Sequence, residues 1–326
     1  MSCFRNVALN ALLAVALVAG GEAHAQSAFP SKPVRIFTVL PAGTDGYVRA
    51  YATRLSEQMG QPVVVENRPG AGGVIAAQSV SSAPPDGHTL MVIAAAFLIA
   101  KAVNPKLAYE PLEDFTGVAK IYGGSSSMVL VRPESPAKTL EQLLAQARAQ
   151  PEKFSFGVGG IGGQPHLSAA SLLAVSGIKA LHIPFKTQND VALALLRGDV
   201  DFTILATTTS LPLVQTGKFR VLAVTSGNRI KQFPEVPTVR EILKNDLLVQ
   251  ETWSGLAGPA KLTGDLIRRL HAESARALTD PTMKKALEAG GNEPTLDESS
   301  EQFVAFLRRE NEKWREIVKL TGVRAD

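Results

Sequence analysis

The stretch Phe154–Gly177, FSFGVGGIGGQPHLSAASLLAVSG, decides how we interpret this chain. It predicts a short strand (Phe154–Val158), a glycine-rich turn (Gly159–Gly163) and a helix beginning near Gln164–Pro165, because proline suits the first turn of a helix. Backbone N–H groups at such a helix start attract a carboxylate or a phosphate, and His166 falls in that first turn. The alternative is an ordinary strand-to-helix connection that binds nothing.

The first 25 residues predict an export signal that is not part of the fold. Arg5 supplies a positive start, Ala11–Ala19 is a short apolar run, and Ala23-His24-Ala25 is a typical cleavage site before Gln26. The apolar run is too short to span a bilayer as a helix. We therefore expect export of a soluble mature protein, with cleavage after Ala25.

Composition excludes several classes of function. The only cysteine, Cys3, lies inside the export signal, so we expect a mature chain without disulfides, thiol catalysis or cysteine metal ligands. The net charge is +4 and the lysines and arginines are scattered, which argues against a nucleic-acid partner. A chain of 326 residues is long enough for two domains.

Strand and helix patterns alternate from the start of the mature chain. Pro33–Leu40 is an apolar strand pattern, and the loop Pro41–Asp45 opens a helix over Gly46–Met59, with Thr44 or Asp45 as its N-cap. A second strand, a second helix and a third strand follow at Pro62–Arg68, Val74–Ser82 and Leu90–Ala95. This alternation predicts an open α/β sheet, in which ligands lie beyond the carboxyl ends of the strands.

The middle of the chain predicts a second sheet of similar size. Val118–Pro133 has the pattern of one long strand interrupted at Gly123–Ser127, and we expect it to cross from the first domain to the second. Strands and helices alternate again up to Thr225, and we expect the chain to have returned to the first domain by Trp253–Gly258. The helical stripes that follow predict core packing and no chemistry.

Catalytic and cofactor motifs are missing from the sequence. We find no Gly-x-Ser-x-Gly elbow, phosphate-binding Gly-x4-Gly-Lys-Ser/Thr loop or His-Glu-x-x-His pair. The histidines have no metal-ligand spacing, and the glycines of Gly157–Gly163 lack the acidic partner of a dinucleotide site. The sequence therefore predicts a protein without metal or cofactor that is not an enzyme.

Five further stretches resemble one family: FPSKPVRI, PVVVENRPGAGG, APPDGHTL, YEPLEDF and FPEVPTVREI. Together with the glycine-rich turn they are similar to the substrate-binding proteins of tripartite tricarboxylate transporters, the periplasmic Bug receptors, over essentially the whole mature chain. The resemblance implies an α/β, two-lobed periplasmic-binding-protein (Venus flytrap, type II-like) fold with two crossing segments. We expect a signal at 1–25, a first lobe of 26–125 plus 228–326, and a second lobe of 126–227.

The same resemblance implies where a ligand binds. In the family, ligand carboxylates meet the loop after the first strand and the glycine-rich helix start of the other lobe. The expected ligand-binding residues are Pro41, Ala42, Gly43, Thr44, Asp45, Ala95, Ala96, Gly159, Gly160, Ile161, Gly162, Gly163, Gln164, His166, Leu205 and Thr207.

Two departures from the family pattern bear on the ligand. The first loop is LPAGTD, poorer in glycine than usual, and Leu205 stands where the family often has an aspartate or other polar group. The wall after the third strand, which often bears Thr, Ser or His in the family, is also apolar here, Ala94-Ala95-Ala96-Phe97-Leu98. Burying an ammonium against leucine is costly, so we hypothesise a carboxylate ligand with an apolar body. The alternative is an ordinary dicarboxylate, with Thr207–Thr209 supplying the polarity.

The resulting prediction is a periplasmic receptor that closes on a small carboxylate and delivers it to membrane permease subunits. We expect a monomer, with hinges at Gly123–Ser127 and Thr225–Gly227. An exported enzyme acting on a small organic acid, and a ligand-sensing co-receptor for a two-component system, are the alternatives.

Overall fold

A computed structural model describes residues 29–39, 45–68, 73–151, 153–289 and 292–324. The expected export signal and most of the loop after the first strand lie outside the described residues. The described strands form two separate sheets, as the alternating sequence patterns predict.

The first sheet has six strands in the order β11-β4-β10-β3-β1-β2. Their bounds are β1 (Val34–Thr38), β2 (Val63–Asn67), β3 (Thr89–Ala94), β4 (Phe115–Ser125), β10 (Thr252–Pro259) and β11 (Glu293–Pro294). β1 runs parallel to β2 and β3, whereas β10 runs antiparallel to β3 and β4. β1 and β3 are mostly apolar and buried, as expected of strands in a sheet that is covered on both faces, whereas β2 at the sheet edge is only partly buried.

The second sheet has five strands in the order β7-β6-β8-β5-β9. Their bounds are β5 (Ser127–Val131), β6 (Ser155–Gly159), β7 (Leu181–Phe185), β8 (Phe202–Ala206) and β9 (Arg220–Val224). β6 is parallel to β7 and β8, and β5 is antiparallel to β8 and β9. The strand that follows a crossing between the sheets is antiparallel to both of its neighbours, β5 in the second sheet and β10 in the first; the short edge strand β11 is also antiparallel to β4.

The helices cover both faces of each sheet. Eleven α-helices are described: α1 (Gly46–Met59), α2 (Val74–Ser81), α3 (Ala95–Val103), α4 (Leu140–Ala149), α5 (Gln164–Ser176), α6 (Gln188–Arg197), α7 (Thr207–Gln215), α8 (Val239–Leu243), α9 (Gly264–Thr279), α10 (Pro281–Glu288) and α11 (Ser300–Thr321). On the first sheet, α1, α9 and α10 share one apolar cluster and α2, α3 and α11 share another. On the second sheet, α4, α5 and α8 pack on one face and α6 and α7 on the other.

The crossing predicted within Val118–Pro133 is present. β4 ends at Ser125 in the first sheet and β5 begins at Ser127 in the second, so that only Ser126 separates them. Helix α3, by contrast, is absent from the sequence prediction, which left the apolar run after Ala95 unassigned. Its residues are apolar almost throughout, so that no periodic polar face marks it as a helix.

The chain is back in the first sheet at β10, as expected for Trp253–Gly258, but residues after Gly227 still pack on the second sheet. Val239 and Leu248 belong to the same buried cluster as Phe156 in the second sheet. The N–H of Gln250 still donates to the carbonyl of Thr225, at 2.8 Å. Because residues 228–248 bury their apolar side chains against the second sheet, we propose a lobe boundary near Gln250 in place of Gly227.

A buried carboxylate joins the last helix to this return crossing. Glu310 is 8% exposed and accepts the indole N–H groups of Trp253 and Trp314 at 3.1 and 3.2 Å. Glu310 also pairs with Lys313, whose ammonium donates to the carbonyl of Val249 at 3.0 Å. The Glu310 carboxylate thus accepts from two buried indole N–H groups. It also positions the Lys313 ammonium, which bonds to the segment before β10.

We expect Glu310→Ala to lower the free energy of unfolding by about 3 kcal/mol or more, because it leaves two indole N–H groups and an ammonium without their acceptor. Urea denaturation followed by circular dichroism measures the change. Glu312→Ala, an exposed site on the same helix, is the control and should stay within about 0.5 kcal/mol of the parent. Equal effects of the two variants would show that the Glu310 contacts do not stabilise the fold.

Candidate functional site

The glycine-rich turn at residues 159–163 lies at the carboxyl end of β6, where α5 begins. Gly159 packs so closely on the next connection that a Cβ there would lie 2.5 Å from the backbone nitrogen of Gln188. Gly160 and Gly162 have φ values of +89° and +74°, a conformation that glycine adopts without strain. The glycines therefore allow the chain to reverse tightly between the strand and the helix.

Three of the turn's N–H groups are used within the protein. The N–H of Gly160 donates to the carbonyl of Phe185 at 3.0 Å, and that of Gly163 to the carbonyl of Gly160 at 3.4 Å. The N–H of Gly162 donates to Nδ1 of His166 at 3.1 Å. These bonds hold the turn to β7 and to the first turn of α5.

Three other N–H groups have no acceptor among the described residues, namely those of Ile161, Gln164 and His166. Two of them are at the start of α5, which is 13 residues long, and the positive end of the helix dipole adds to their attraction for an anion. No acidic residue stands in the first turn of α5. The arrangement suits a carboxylate bound by backbone groups.

His166 faces the turn and the second sheet. It is 7% exposed, and its ring stacks on that of His182 in β7, with 4.4 Å between ring centroids. Burial, with a smaller contribution from His182, lowers the pKa of His166 to about 4. His166 is therefore neutral at pH 7, and its Nδ1 is occupied by Gly162, so this nitrogen is not a ligand contact.

Gln164 links the helix start to the return crossing. Its side-chain amide donates to the carbonyls of Gln250 and Glu251, at 3.3 Å each. Gln250 is 1% exposed, and its amide bonds to Ser168 and Ser171 in the same helix at 2.5 and 2.8 Å. The Gln164 side chain thus positions α5 against the crossing, while its backbone N–H is the group available to a ligand.

A cavity of 630 Å³ adjoins the turn. Residues of both lobes line it: Val39, Gly73, Val74, Met91, Ala96, Phe97, Ile99, Ala100, Val103, Asn104, Leu107, Ile161, Gly162 and Gly163. Asn104 has the only polar side chain in this set. Ile161 is 62% exposed, so its apolar side chain projects from the turn at the edge of the cavity.

Four of the expected site residues, Ala96, Ile161, Gly162 and Gly163, line this one cavity. Ala95, immediately before Ala96, is instead buried in the core at 2% exposure. Phe97, named in the sequence as part of the wall after the third strand, also lines the cavity. The sequence did not single out Val39 or Asn104. The signal for Asn104 was the apolar run after β3: a helix predicted there would have placed α3 beside the loops at the strand ends.

Pro41, Ala42, Gly43 and Thr44 lie outside the described residues. Asp45 is 3% exposed and pairs with Arg49 at 2.7 Å. Asp45 is the N-cap residue of α1, as predicted, but its side chain makes no capping hydrogen bond to the helix. Its carboxylate is instead oriented by the arginine one turn along the helix.

Leu205 does not face the cavity. It is fully buried and packs with Met128, Val191 and Val224 in the core of the second lobe. Residues along a strand alternate between faces, and Leu205 falls on the face covered by α6 and α7. The argument that Leu205 replaces a polar ligand contact is therefore wrong.

Thr207 lies at a second, smaller cavity beside the crossings. Its hydroxyl donates to the carbonyl of Ser126 at 2.6 Å, and the cavity of 210 Å³ is lined by residues of both lobes, including Ser126, Thr207 and Ser226. Thr207 is thus at the hinge and apart from the apolar cavity at the glycine-rich turn.

Among the described residues, no group of three or more His, Cys, Asp or Glu side chains is arranged to hold a metal ion. No helix in that part of the chain is long and apolar enough to cross a membrane.

Comparison with known proteins identifies the same architecture. The family described as "Tripartite tricarboxylate transporter family receptor" matches residues 47–323. BugT of Bordetella pertussis is 30% identical over 323 residues, covering 97% of this chain and 98% of BugT. A Rhodopseudomonas palustris protein solved with adipate is 27% identical with a TM-score of 0.74, covering 91% of this chain and 100% of that one. MatC of the same organism, solved with malate, is 28% identical with a TM-score of 0.72, covering 89% of this chain and 100% of that one.

Two lobes of like topology, joined by two crossings around a cavity with unused N–H groups, define a solute-binding receptor of the two-lobed periplasmic class. The chain belongs to the tripartite tricarboxylate transporter receptor family. The family resemblance noted in the sequence, and the two-lobed fold that it implied, are confirmed.

Gly159→Ala tests the shape of the turn. We expect it to lower the free energy of unfolding by about 2 kcal/mol or more, because the new methyl group meets the backbone of residues 187 and 188. Gly46→Ala is the control: a methyl there meets nothing within 4 Å and should be neutral or stabilising by up to about 1 kcal/mol. A Gly159→Ala protein as stable as the parent would show that the connection tolerates a side chain.

Proposed function

We propose that this protein captures a small carboxylate with an apolar body and delivers it to the permease of a tripartite tricarboxylate transporter. The observation that supports this most is the juxtaposition of unused N–H groups with an apolar cavity of 630 Å³. The family supplies the transport role, and the site supplies the chemistry of the ligand.

The carboxylate head is assigned to the start of α5. The N–H groups of Ile161, Gln164 and His166 are unused within the described residues, and a carboxylate oxygen accepts such donors without needing a counter-charge. Backbone donors recognise the head group shared by many acids. Selection among acids then depends on the part of the ligand that lies in the cavity.

The apolar body is assigned to the cavity lining. A ligand whose body makes few hydrogen bonds loses little on leaving water for a surface where, among the described residues, only Asn104 has a polar side chain. The volume is within the range of sites for small organic molecules. A Rhodopseudomonas palustris relative was solved with adipate, whose aliphatic middle suits such a lining but whose second carboxylate would need a polar partner, as in the dicarboxylate alternative.

A polar dicarboxylate is the second candidate, because the relative MatC carries malate. In that case Asn104 would supply a polar contact in this cavity, or the ligand would lie in the smaller cavity beside the crossings, where the Thr207 hydroxyl is available. The hydroxyl already donates to Ser126, so Thr207 would act on a ligand as an acceptor.

The rest of the assignment follows from the family and the sequence together. We propose an exported periplasmic protein, cut after Ala25, that acts as a monomer and is not an enzyme. The exported-enzyme alternative lacks support because no nucleophile beside a base was found in the sequence. A sensing co-receptor would share the site and differ only in its partner.

The first test is native mass spectrometry of protein from the periplasm, followed by a thermal-shift screen with adipate, benzoate, malate, citrate and glutamate. We expect benzoate, a monocarboxylate with an apolar body, to stabilise the protein most; at one hundred times the dissociation constant a ligand adds about 2.7 kcal/mol. Adipate, malate or citrate binding far more tightly would favour the polar alternative. No stabilisation by any acid would contradict the receptor assignment itself.

Ile161→Ser tests the apolar contact at the mouth of the cavity. We expect the affinity for the apolar acids to fall about tenfold, about 1.4 kcal/mol, while malate changes less. Calorimetric titration measures both. Leu181→Ser is the matched control, since Leu181 is 53% exposed at the opposite end of the sheet from the turn and should leave all affinities unchanged.

A further inference from the structure

We propose that His166 is a positioning residue: as a neutral imidazole it accepts the Gly162 N–H and so holds the glycine-rich turn in the shape that presents its other N–H groups to the carboxylate. The inference rests on the proposed function for the identity of the ligand. It assigns to His166 a role other than the direct ligand contact that the sequence suggested.

The geometry of the turn leads to this assignment. Nδ1 of His166 lies 3.1 Å from the nitrogen of Gly162, four residues earlier. Gly162 is buried and has a φ of +74°, so its N–H points back toward the helix and away from solvent. Without an imidazole acceptor this buried donor would be unsatisfied, which costs free energy comparable to a lost hydrogen bond.

The acceptor role defines the tautomer. A nitrogen that accepts a hydrogen bond carries no proton, so the proton of neutral His166 resides on Nε2. A doubly protonated ring could not accept from Gly162, and its charge would face the positive end of the α5 dipole. The lowered pKa of His166, about 4, agrees with a ring that stays neutral at pH 7.

A column of aromatic rings fixes the plane of the imidazole. His166 stacks on His182 at 4.4 Å, and His182 stacks on Phe156 at 5.1 Å. Phe156 stacks in turn on Phe202 at 5.7 Å. The column extends from the core of the second sheet to the turn, and His182 is the titratable group in it that faces His166.

The free N–H groups depend on this support. Ile161 lies between the two left-handed glycines, Gly160 and Gly162, so rotation of the Gly162 peptide also redirects its neighbour. The N–H of Ile161 then changes direction relative to the N–H groups of Gln164 and His166 at the start of α5. A binding site made of backbone donors loses affinity when they cease to converge.

Three variants test the proposal, with adipate as the first probe and malate as the second. His166→Leu removes the acceptor, and we expect the affinity for the bound acid to fall at least tenfold. His166→Asn restores an acceptor oxygen near the position of Nδ1 and should recover most of that affinity. His182→Phe keeps the stacking column and should bind nearly as well as the parent.

A spectroscopic measurement separates positioning from general stability. In the parent protein, long-range ¹H–¹⁵N spectra should show the Nε2–H tautomer of His166, and the Gly162 amide should have a hydrogen-bonded shift that disappears in His166→Leu and returns in His166→Asn. An Nδ1–H tautomer in the parent, or unchanged affinity in His166→Leu, would overturn the proposal. If the parent binds neither probe nor any acid of the screen, the proposed function fails, whereas the tautomer still decides the role of His166.

Discussion

The structure depends on satisfying the backbone at the two points where the chain passes between lobes. Ser126 alone separates β4 from β5, and its hydroxyl accepts the N–H groups of Thr225 and Ser226 at 3.0 and 3.3 Å. Gln250, at the return crossing, accepts from the Thr225 hydroxyl at 2.9 Å through its carbonyl. Both crossings are thereby bonded to each other through short polar side chains, because a buried backbone group without a partner would be costly.

Helix α5 connects this pair of crossings to the ligand site. Ser168 and Ser171 of this helix bond to the Gln250 side chain, and the Gln164 side chain bonds to the backbone of residues 250 and 251. Leu167 is fully buried in the apolar cluster of α3 and α11 in the first lobe. The helix thus packs on its own sheet and reaches the other lobe. An anion bound at its first turn lies within one helical turn of the bonds that set the angle between the lobes, which is a direct physical route from ligand capture to closure.

Local pattern was sufficient to predict most of the fold. Apolar strands bounded by proline and glycine, and stripes at helical spacing, gave α1 with its exact bounds and the other strands within a few residues. The order of strands in each sheet and the position of the return crossing could not be predicted from local pattern. They depend on which helices and strands pack their apolar faces against each other. Residues 228–248 illustrate the limit: their sequence is compatible with either lobe, and only the burial of Val239 and Leu248 assigns them to the second.

The candidate site was predicted through its backbone and misjudged through its side chains. Glycine spacing and a proline at the helix start mark the turn, since the conformation itself restricts the residues. The neighbouring sequence does not determine in this way which direction a side chain takes. Leu205 faces the core, and His166 faces Gly162. The apolar-ligand hypothesis consequently no longer rests on Leu205, but on the wall after β3 and on the glycine-rich turn. Ala96, Phe97 and Ile161 line the cavity beside the unused N–H groups, and a site that binds its ligand's head through backbone alone can select only through such a lining.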